Sequence, residues 1–560
     1  MSPPSSLRET DARQRADLID VVRYDVSLDF TGLLEGAELR TTSRITFTAT
    51  PGGETFVDCQ AGVVAAVLNG SPLPAGAVEG DRIRLTGLTE HNVLVVDSVQ
   101  TDTASALGVH RSVDPVDGEV YVWTTFEPDE ARRVFACFDQ PDLKAVFAIT
   151  ARLPRRWIAT SNSGDAEVSG DGSHRIWTFP DTPPLSTYNI VCNAGPFHEL
   201  RSQRGGYDLG LLARRSLATV LERDAEDLFE TTAAGLAFYG EQFALPFPQR
   251  RYDQVFVPDF GAGAMENYGC VTWIDTFLYR GEPTAAERER RTRVLLHEMA
   301  HMWFGDMVTM RWWDDLWLNE SFAEWACHWA AERVTEFADV WAADAVNDKQ
   351  RAYAADLAPT THPIQRVIVD VEATRSTVDA ITYAKGASTL KQLVHLVGED
   401  AFVAALRSYF AAHAWGNATL ADLVAAVEQA AGRGLAPWVT GWLGTAGTDE
   451  IRCERTGTDV ELSVIAPVGR EPLVHRFDVG VYVAGDDGLR LDRTHDVELS
   501  DRALLTDVPE DALVLLNDND QTFAAVRPDP VSLAAMVAGA GRLPTPVGRA
   551  VAVTTAWGLL

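Results

Sequence analysis

At 560 residues the chain is too long for one hydrophobic core and is expected to divide into three or four domains. Hydrophobic residues make up 46% and charged residues 23%, the mix of a globular protein rather than a disordered or fibrous one. A formal charge of −32, carried by dispersed acidic residues, weighs against nucleic acid and anionic membranes as partners and leaves a slight bias toward cationic substrates.

Met1-Ser2-Pro3-Pro4-Ser5-Ser6 lacks the basic stretch and apolar core of a signal peptide, and no apolar run approaches bilayer length. The six cysteines, Cys59, Cys137, Cys192, Cys270, Cys327 and Cys453, have no short paired spacing. That pattern fits reduced thiols in a cytoplasmic protein, not a disulfide frame or a cysteine metal site. From about residue 18 to 203 the pattern is β: residues 22–30 and 44–48 alternate, and turns such as Pro51-Gly52-Gly53 punctuate them. From Arg214 to about Leu443 helical patterns dominate, including 217–242, with short strands such as 253–257 between them. Alternation returns from about 446 to 528, as in 460–465, and reads as a small β-sandwich. From Ser532 onward the pattern is helical again. The expected domains are therefore 1–203, 204–445, 446–528 and 529–560.

His297-Glu298-Met299-Ala300-His301, with eighteen residues before Glu320, carries the chemistry. Histidines four apart on a helix lie about 40° apart around the axis and about 6 Å along it, so one ion can touch both. Glu298 faces the same cavity and is free to act as general base toward a metal-bound water. Glu320, on a second helix, supplies a third ligand and leaves the fourth tetrahedral position open, the pattern of one catalytic Zn2+. Val294, Leu295, Leu296, Met299, Ala300, Met302, Trp303 and Phe304 surround the motif with apolar residues, which makes two chance surface histidines a poor reading. In Trp317–Trp325, Glu324 lies one turn after Glu320 and can accept the free ring N–H of a ligand histidine; the plainer alternative is a solvated helix residue.

With Gly263-Ala264-Met265-Glu266-Asn267, Asn319-Glu320 and Tyr383-Ala384-Lys385-Gly386, the motif resembles the aminopeptidase N family of zinc metallopeptidases. The resemblance extends through Arg132–Pro141 and Pro183–Tyr188 and spans nearly the whole chain. It implies a multidomain α+β fold: an N-terminal β-saddle, a thermolysin-like α/β catalytic domain, a small β-sandwich and the start of a helical C-terminal region. Larger members carry several hundred helical residues that close over the active site, and only their opening is expected here. An exposed apolar seam would then favour association.

The same resemblance implies a substrate site for peptides with a free N-terminus. Glu266 and Glu127 would accept the α-ammonium, Gly263, Ala264 and Asn267 would present the substrate loop, and Tyr383 would donate to the oxyanion. Gly261, Gly263 and Ala264 are small enough for close backbone approach, although alone they read as a tight turn. Met265 lines the first side-chain pocket or packs in the core, and Tyr383 by itself reads as a packed aromatic. The expected activity is aminopeptidase hydrolysis by zinc-bound water. The alternatives are a thermolysin-like endopeptidase, an epoxide hydrolase of the same family, and an impaired peptide-binding form.

Overall fold

The computed structural model describes residues 6–36, 38–170, 172–485 and 488–559. Its contacts divide the chain into two compact units. The first comprises Met1–Trp313, Ile368–Ser376 and Phe410–Thr419; the second comprises Asp314–Val367, Thr377–Tyr409 and Leu420–Leu560.

The first unit opens with a helix, Glu9–Leu18, ahead of the first alternating strand. Its apolar residues do not form a clear stripe, and it is held instead by Arg15, which donates to Asp58 at 2.6 Å and Gln140 at 2.5 Å in the interior. The alternating segments then build the β region. Ile19–Asp29 lies in an eight-stranded sheet, paired antiparallel with Leu39–Ala49 and parallel with Val146–Pro154. Burial alternates along it, with Tyr24, Val26 and Leu28 inside, as a sheet with one packed face requires. A four-stranded sheet contains Val120–Thr125, buried along its whole length, and a loop that includes Glu127 leaves its end.

A five-stranded sheet follows, in spatial order His198–Arg204, Tyr207–Ala213, Arg251–Val257, Cys270–Ile274 and Ala264–Met265. The middle three strands run parallel, and the long helix Ala218–Gln242 makes the crossover between two of them. Ala264–Met265 turns back antiparallel at the edge. The helix Ala285–His301 packs on Ala218–Gln242: the Tyr239 hydroxyl donates to Leu296 O at 3.0 Å, and Arg291 pairs with Asp224. A Cβ at Gly235 would sit 2.7 Å from Leu296 Cδ2 and Met299 Sδ, so glycine there permits the close approach of the two helices.

The second unit contains the helix Leu316–Val334, buried on nearly every side, and the helix Gly386–Val397. A four-stranded and a three-stranded sheet share one core that includes Ile451, Leu462, Phe477, Val479 and Leu516, which makes the expected sandwich. Pro530–Gly539 and Pro546–Trp557 are helical and pack Met536, Val551 and Ala552 on Tyr482 and Leu515 of that sandwich. The β-rich start, mixed α/β middle and helical end are the multidomain α+β fold expected from the sequence. All six cysteines are free and buried, and no helix among the described residues is long and apolar enough to cross a membrane.

Candidate active site

The histidine helix begins at a capping box, with Glu287 N donating to Thr284 Oγ1 at 3.2 Å and Thr284 N donating to Glu287 Oε2 at 2.8 Å. Its last two turns bury Leu295, Leu296, Met299 and Ala300, and with them His297, Glu298 and His301. His301 is 1% exposed. Its Nδ1 lies 3.1 Å from the carbonyl of Phe304, an arrangement that calls for a proton on Nδ1 and leaves a lone pair on Nε2. The Nε2 atoms of His297 and His301 face each other at 3.1 Å.

Two buried ring nitrogens at that distance need a proton or a cation between them. With zinc–nitrogen bonds of about 2.0–2.1 Å, the separation corresponds to an angle of roughly 95–100° at the ion, close to a tetrahedral opening. The donor set of this pair therefore fits zinc.

The turn after the helix is held from behind. Tyr188 donates to Gly305 O at 3.0 Å, and Lys144 Nζ donates to the carbonyls of Asp306 and Met307 at 2.9 and 3.0 Å. Asn189 donates its amide to the buried Asp306 carboxyl. Burial, reinforced by the charge of nearby Glu266, pushes Asp306 well above the usual carboxylate range. The same carboxyl feels His301 and Glu298, so the groups of the histidine helix and of the Glu266 loop share one electrostatic environment.

Glu266 follows the edge strand Ala264–Met265 and is 4% exposed. A carboxylate oxygen of Glu266 and one of Glu127 lie within 4.8 Å of each other. Two ionised carboxylates at that range repel by on the order of a few kcal/mol at an effective dielectric near 20, so the pair favours a cation. Met265 is buried. Asn267 is fully buried, its Oδ1 accepting from Thr272 Oγ1 at 3.1 Å and its Nδ2 donating to Asn189 O at 3.5 Å. Gly263 is exposed and Ala264 partly so, and a Cβ at Gly263 would meet nothing nearer than Phe277 at 3.7 Å. The loop before them is anchored by Trp123 Nε1, which donates to Pro258 O at 2.8 Å, and by Ser112 Oγ, which donates to Asp259 at 2.7 Å.

The second unit holds Glu320, Glu324 and Tyr383. Glu320 is buried on the helix Leu316–Val334, and Glu324, one turn later, is partly exposed. Tyr383 lies in a π-helical turn, Ile381–Lys385, and is partly exposed. Such turns recur at functional sites. Lys385 Nζ donates to both oxygens of Asp356 at 2.9 Å, which fixes the end of the turn.

The sequence marked Phe304 only as an apolar flank of the motif, and it gave no role to Asp306, Asn189, Lys144 or Trp123. A single signal existed for Asp306, an acidic residue inside the otherwise apolar stretch Met302–Val308.

The Peptidase family M1 domain matches residues 228–442, and the Peptidase M1 N-terminal domain matches residues 103–189. The chain is 42% identical to "Aminopeptidase N" of Streptomyces lividans, over 99% of this chain and 67% of that protein. It is 32% identical to "Probable aminopeptidase 1" of Sulfurisphaera tokodaii over 65% of this chain and 46% of that protein. For "Aminopeptidase M1-A" of Oryza sativa subsp. japonica the identity is 34%, over 60% of this chain and 38% of that protein. The chain thus spans about two thirds of the first relative and less than half of the other two. On this match and these motifs, the chain belongs to peptidase family M1, the aminopeptidase N family of metallopeptidases.

Proposed function

We propose that this chain is a zinc-dependent aminopeptidase that removes the N-terminal residue of peptides. The observation that carries the proposal is the Glu127–Glu266 pair, within 4.8 Å, in the same compact unit as the facing His297 and His301 nitrogens. A pair of carboxylates in one compact unit with a metal-type histidine pair suits a substrate whose free α-ammonium adjoins the bond to be cleaved. An endopeptidase has no need of that cation site.

In this reading His297, His301 and Glu320 hold one Zn2+, which when bound supplies the Lewis acid that polarises the scissile carbonyl and acidifies water. Glu266 and Glu127 accept the hydrogen bonds of the α-ammonium and so set which peptide bond is presented. Glu298 takes the proton of the attacking water and returns it to the leaving amine. Tyr383 donates its hydroxyl proton in a hydrogen bond to the carbonyl oxygen as negative charge develops on it. Glu324 orients His297, since the His301 ring already has its acceptor in the Phe304 carbonyl. The exposed backbone at Gly263 and Ala264 runs beside the substrate main chain, Met265 borders the first side chain, and Asn267 holds the loop from inside.

The domains carry separate tasks. Residues 204–445 perform the chemistry, 1–203 contribute Glu127, and 446–528 with 529–560 support them. The partners are peptides with a free N-terminus, and the six free, buried cysteines support a reducing cytoplasm as the compartment.

The test is hydrolysis of a panel of aminoacyl fluorogenic amides, with N-acetylated versions and a zinc chelator as controls. Cleavage of free-amine substrates alone, lost on chelation and restored by zinc, is the expected result. Equal cleavage of the acetylated substrates would make the enzyme an endopeptidase. No cleavage by folded, zinc-loaded protein would make it an impaired, peptide-binding form.

A further inference from the structure

The loop that carries Glu127 bears an unusual charge arrangement directly behind it. Glu130 N closes the turn by donating to Phe126 O at 2.8 Å, so Glu127 sits inside a turn whose other end is Glu130. Asp129 and Glu130 are adjacent and buried, with side chains 4% and 0% exposed. Asp129 pairs with Arg132 at 2.7 Å, and Glu130 pairs with Arg133. Each of these contacts is local, three residues away, and ties the turn only to its own continuation, where Gln60 N donates to Arg132 O at 2.7 Å and Arg132 N donates to Asp139 Oδ2 at 3.0 Å.

Arg375 is different. Its Nη2 reaches both carboxylates, Asp129 Oδ1 at 3.3 Å and Glu130 Oε1 in a shorter contact, across about 245 residues of sequence. Its backbone is fixed in the same unit. Val371 N donates to Leu7 O at 3.0 Å, Glu9 N donates to Val369 O at 3.1 Å, and Trp312 Nε1 donates to Ile368 O at 2.7 Å. Asp370 caps the short helix Val371–Thr374 that ends at Arg375. A cation on an anchored segment thus holds the two carboxylates behind Glu127, while Glu127 itself stands close to Glu266.

We propose that Arg375 is a positioning residue for recognition of the substrate ammonium: it braces the Glu127 loop against the repulsion between Glu127 and Glu266. Before substrate arrives, that repulsion drives the two glutamates apart, and an unbraced loop relaxes by moving Glu127 away. The substrate would then have to bring the loop back, and affinity for the free amine falls. Loss of Arg375 would also leave Asp129 and Glu130 with one local arginine each. Asp129 is already pushed up to about 6 by its burial, so its hold is the first to weaken.

This inference rests on the aminopeptidase reading, and the experiment separates the two. Arg375→Ala and Arg375→Lys are made in the full, zinc-loaded chain, alone and in a Glu127→Ala background. KM and kcat are measured on a free-amine aminoacyl amide, and hydrogen exchange is followed for a peptide covering residues 126–134. Arg375→Ala is expected to raise KM about tenfold with kcat within about twofold, and Arg375→Lys to recover most of it. In the Glu127→Ala background the same substitution should change KM less than about twofold, because the residue it acts through is gone. Exchange across 126–134 should quicken in Arg375→Ala and stay near wild type in Arg375→Lys.

An unchanged KM, a KM effect that persists at full size without Glu127, or unchanged exchange would each overturn the brace. If Arg375→Ala does not fold, Arg375→Gln takes its place in the same comparison. A wild-type chain without turnover would count against the aminopeptidase reading alone, and the exchange measurement would still decide whether Arg375 holds the loop.

Discussion

Ser321 Oγ donates to the carbonyl of Thr382 at 2.6 Å, and so joins the residue after Glu320 to the residue before Tyr383. The π-turn lies directly on the glutamate helix at this point. A Cβ on Gly386 would come within 1.9 Å of Ser321 Oγ and 2.8 Å of Ser321 Cβ. Gly386→Ala must therefore push the turn off the helix, and with it Tyr383 relative to Glu320. Overpacking of this kind costs about 1–3 kcal/mol, and a misplacement near 1 Å costs about a hundredfold in rate. The expected result is a lowered midpoint of thermal unfolding and at least a tenfold fall in kcat. A variant with wild-type kcat would mean that this contact does not set the site.

Glu298→Ala is expected to remove turnover while the protein keeps its zinc. The acceptor that orients His301 is the carbonyl of Phe304, and this contact is independent of the Glu298 side chain. Loss of a positioned general base costs about 10²–10⁴ in rate. Metal analysis beside the activity assay checks both halves, and His297→Ala serves as the contrast in which zinc is lost. If Glu298→Ala kept its activity, the base would have to be another group.

The parts of the site that could be read from the sequence are those in which one side chain performs one task at a fixed spacing. His297 and His301 are four apart on a helix, and the helix period alone brings their nitrogens together. The apolar flanks explain why that helix is buried. What could not be read depends on backbone atoms or on distant partners. Phe304 acts through its carbonyl, which every residue possesses, so no letter marks it. Asn189 and Asp306 meet across 117 residues, and Lys144 reaches Asp306 across 162. Such pairings follow from how the sheets and helices are assembled, not from local pattern. The helix Glu9–Leu18 escaped for a related reason: its inward residue is Arg15, whose burial depends on Asp58 and Gln140 far along the chain. The π-turn at Tyr383 likewise has no periodicity of its own within five residues.

Tyr383→Phe keeps the ring and removes only the hydroxyl. If that hydroxyl stabilises charge that appears in the transition state, its loss lowers kcat and leaves KM nearly unchanged. The expected fall is about 10²–10³, the usual cost of one oxyanion donor. Because the ring stays, unfolding should be close to wild type. A KM that rises with kcat unchanged would instead make Tyr383 a contact for the bound substrate.

Lys144 offers a test of the turn behind His301 that needs no substrate. Burial pulls its ammonium down from 10.5 to about 7, with the charge of Asp306 opposing the shift. The unfolded chain holds this proton up to about pH 10.5, and the folded chain holds it only to about 7. Between those values unfolding takes up a proton, so raising the pH disfavours unfolding and stability increases. Below about pH 7 both states carry the proton and this contribution is flat. Lys144→Met deletes the group and its slope. Denaturant unfolding of both proteins at pH 6, 7.5 and 9 should show the wild type gaining on the variant only above about pH 7, by at most about 1.4 kcal/mol per pH unit. Parallel curves would mean that Lys144 keeps its charge in the folded protein. The donors to the Asp306 and Met307 carbonyls would then be those of an ammonium throughout the working range, with the turn after His301 held by a full positive charge.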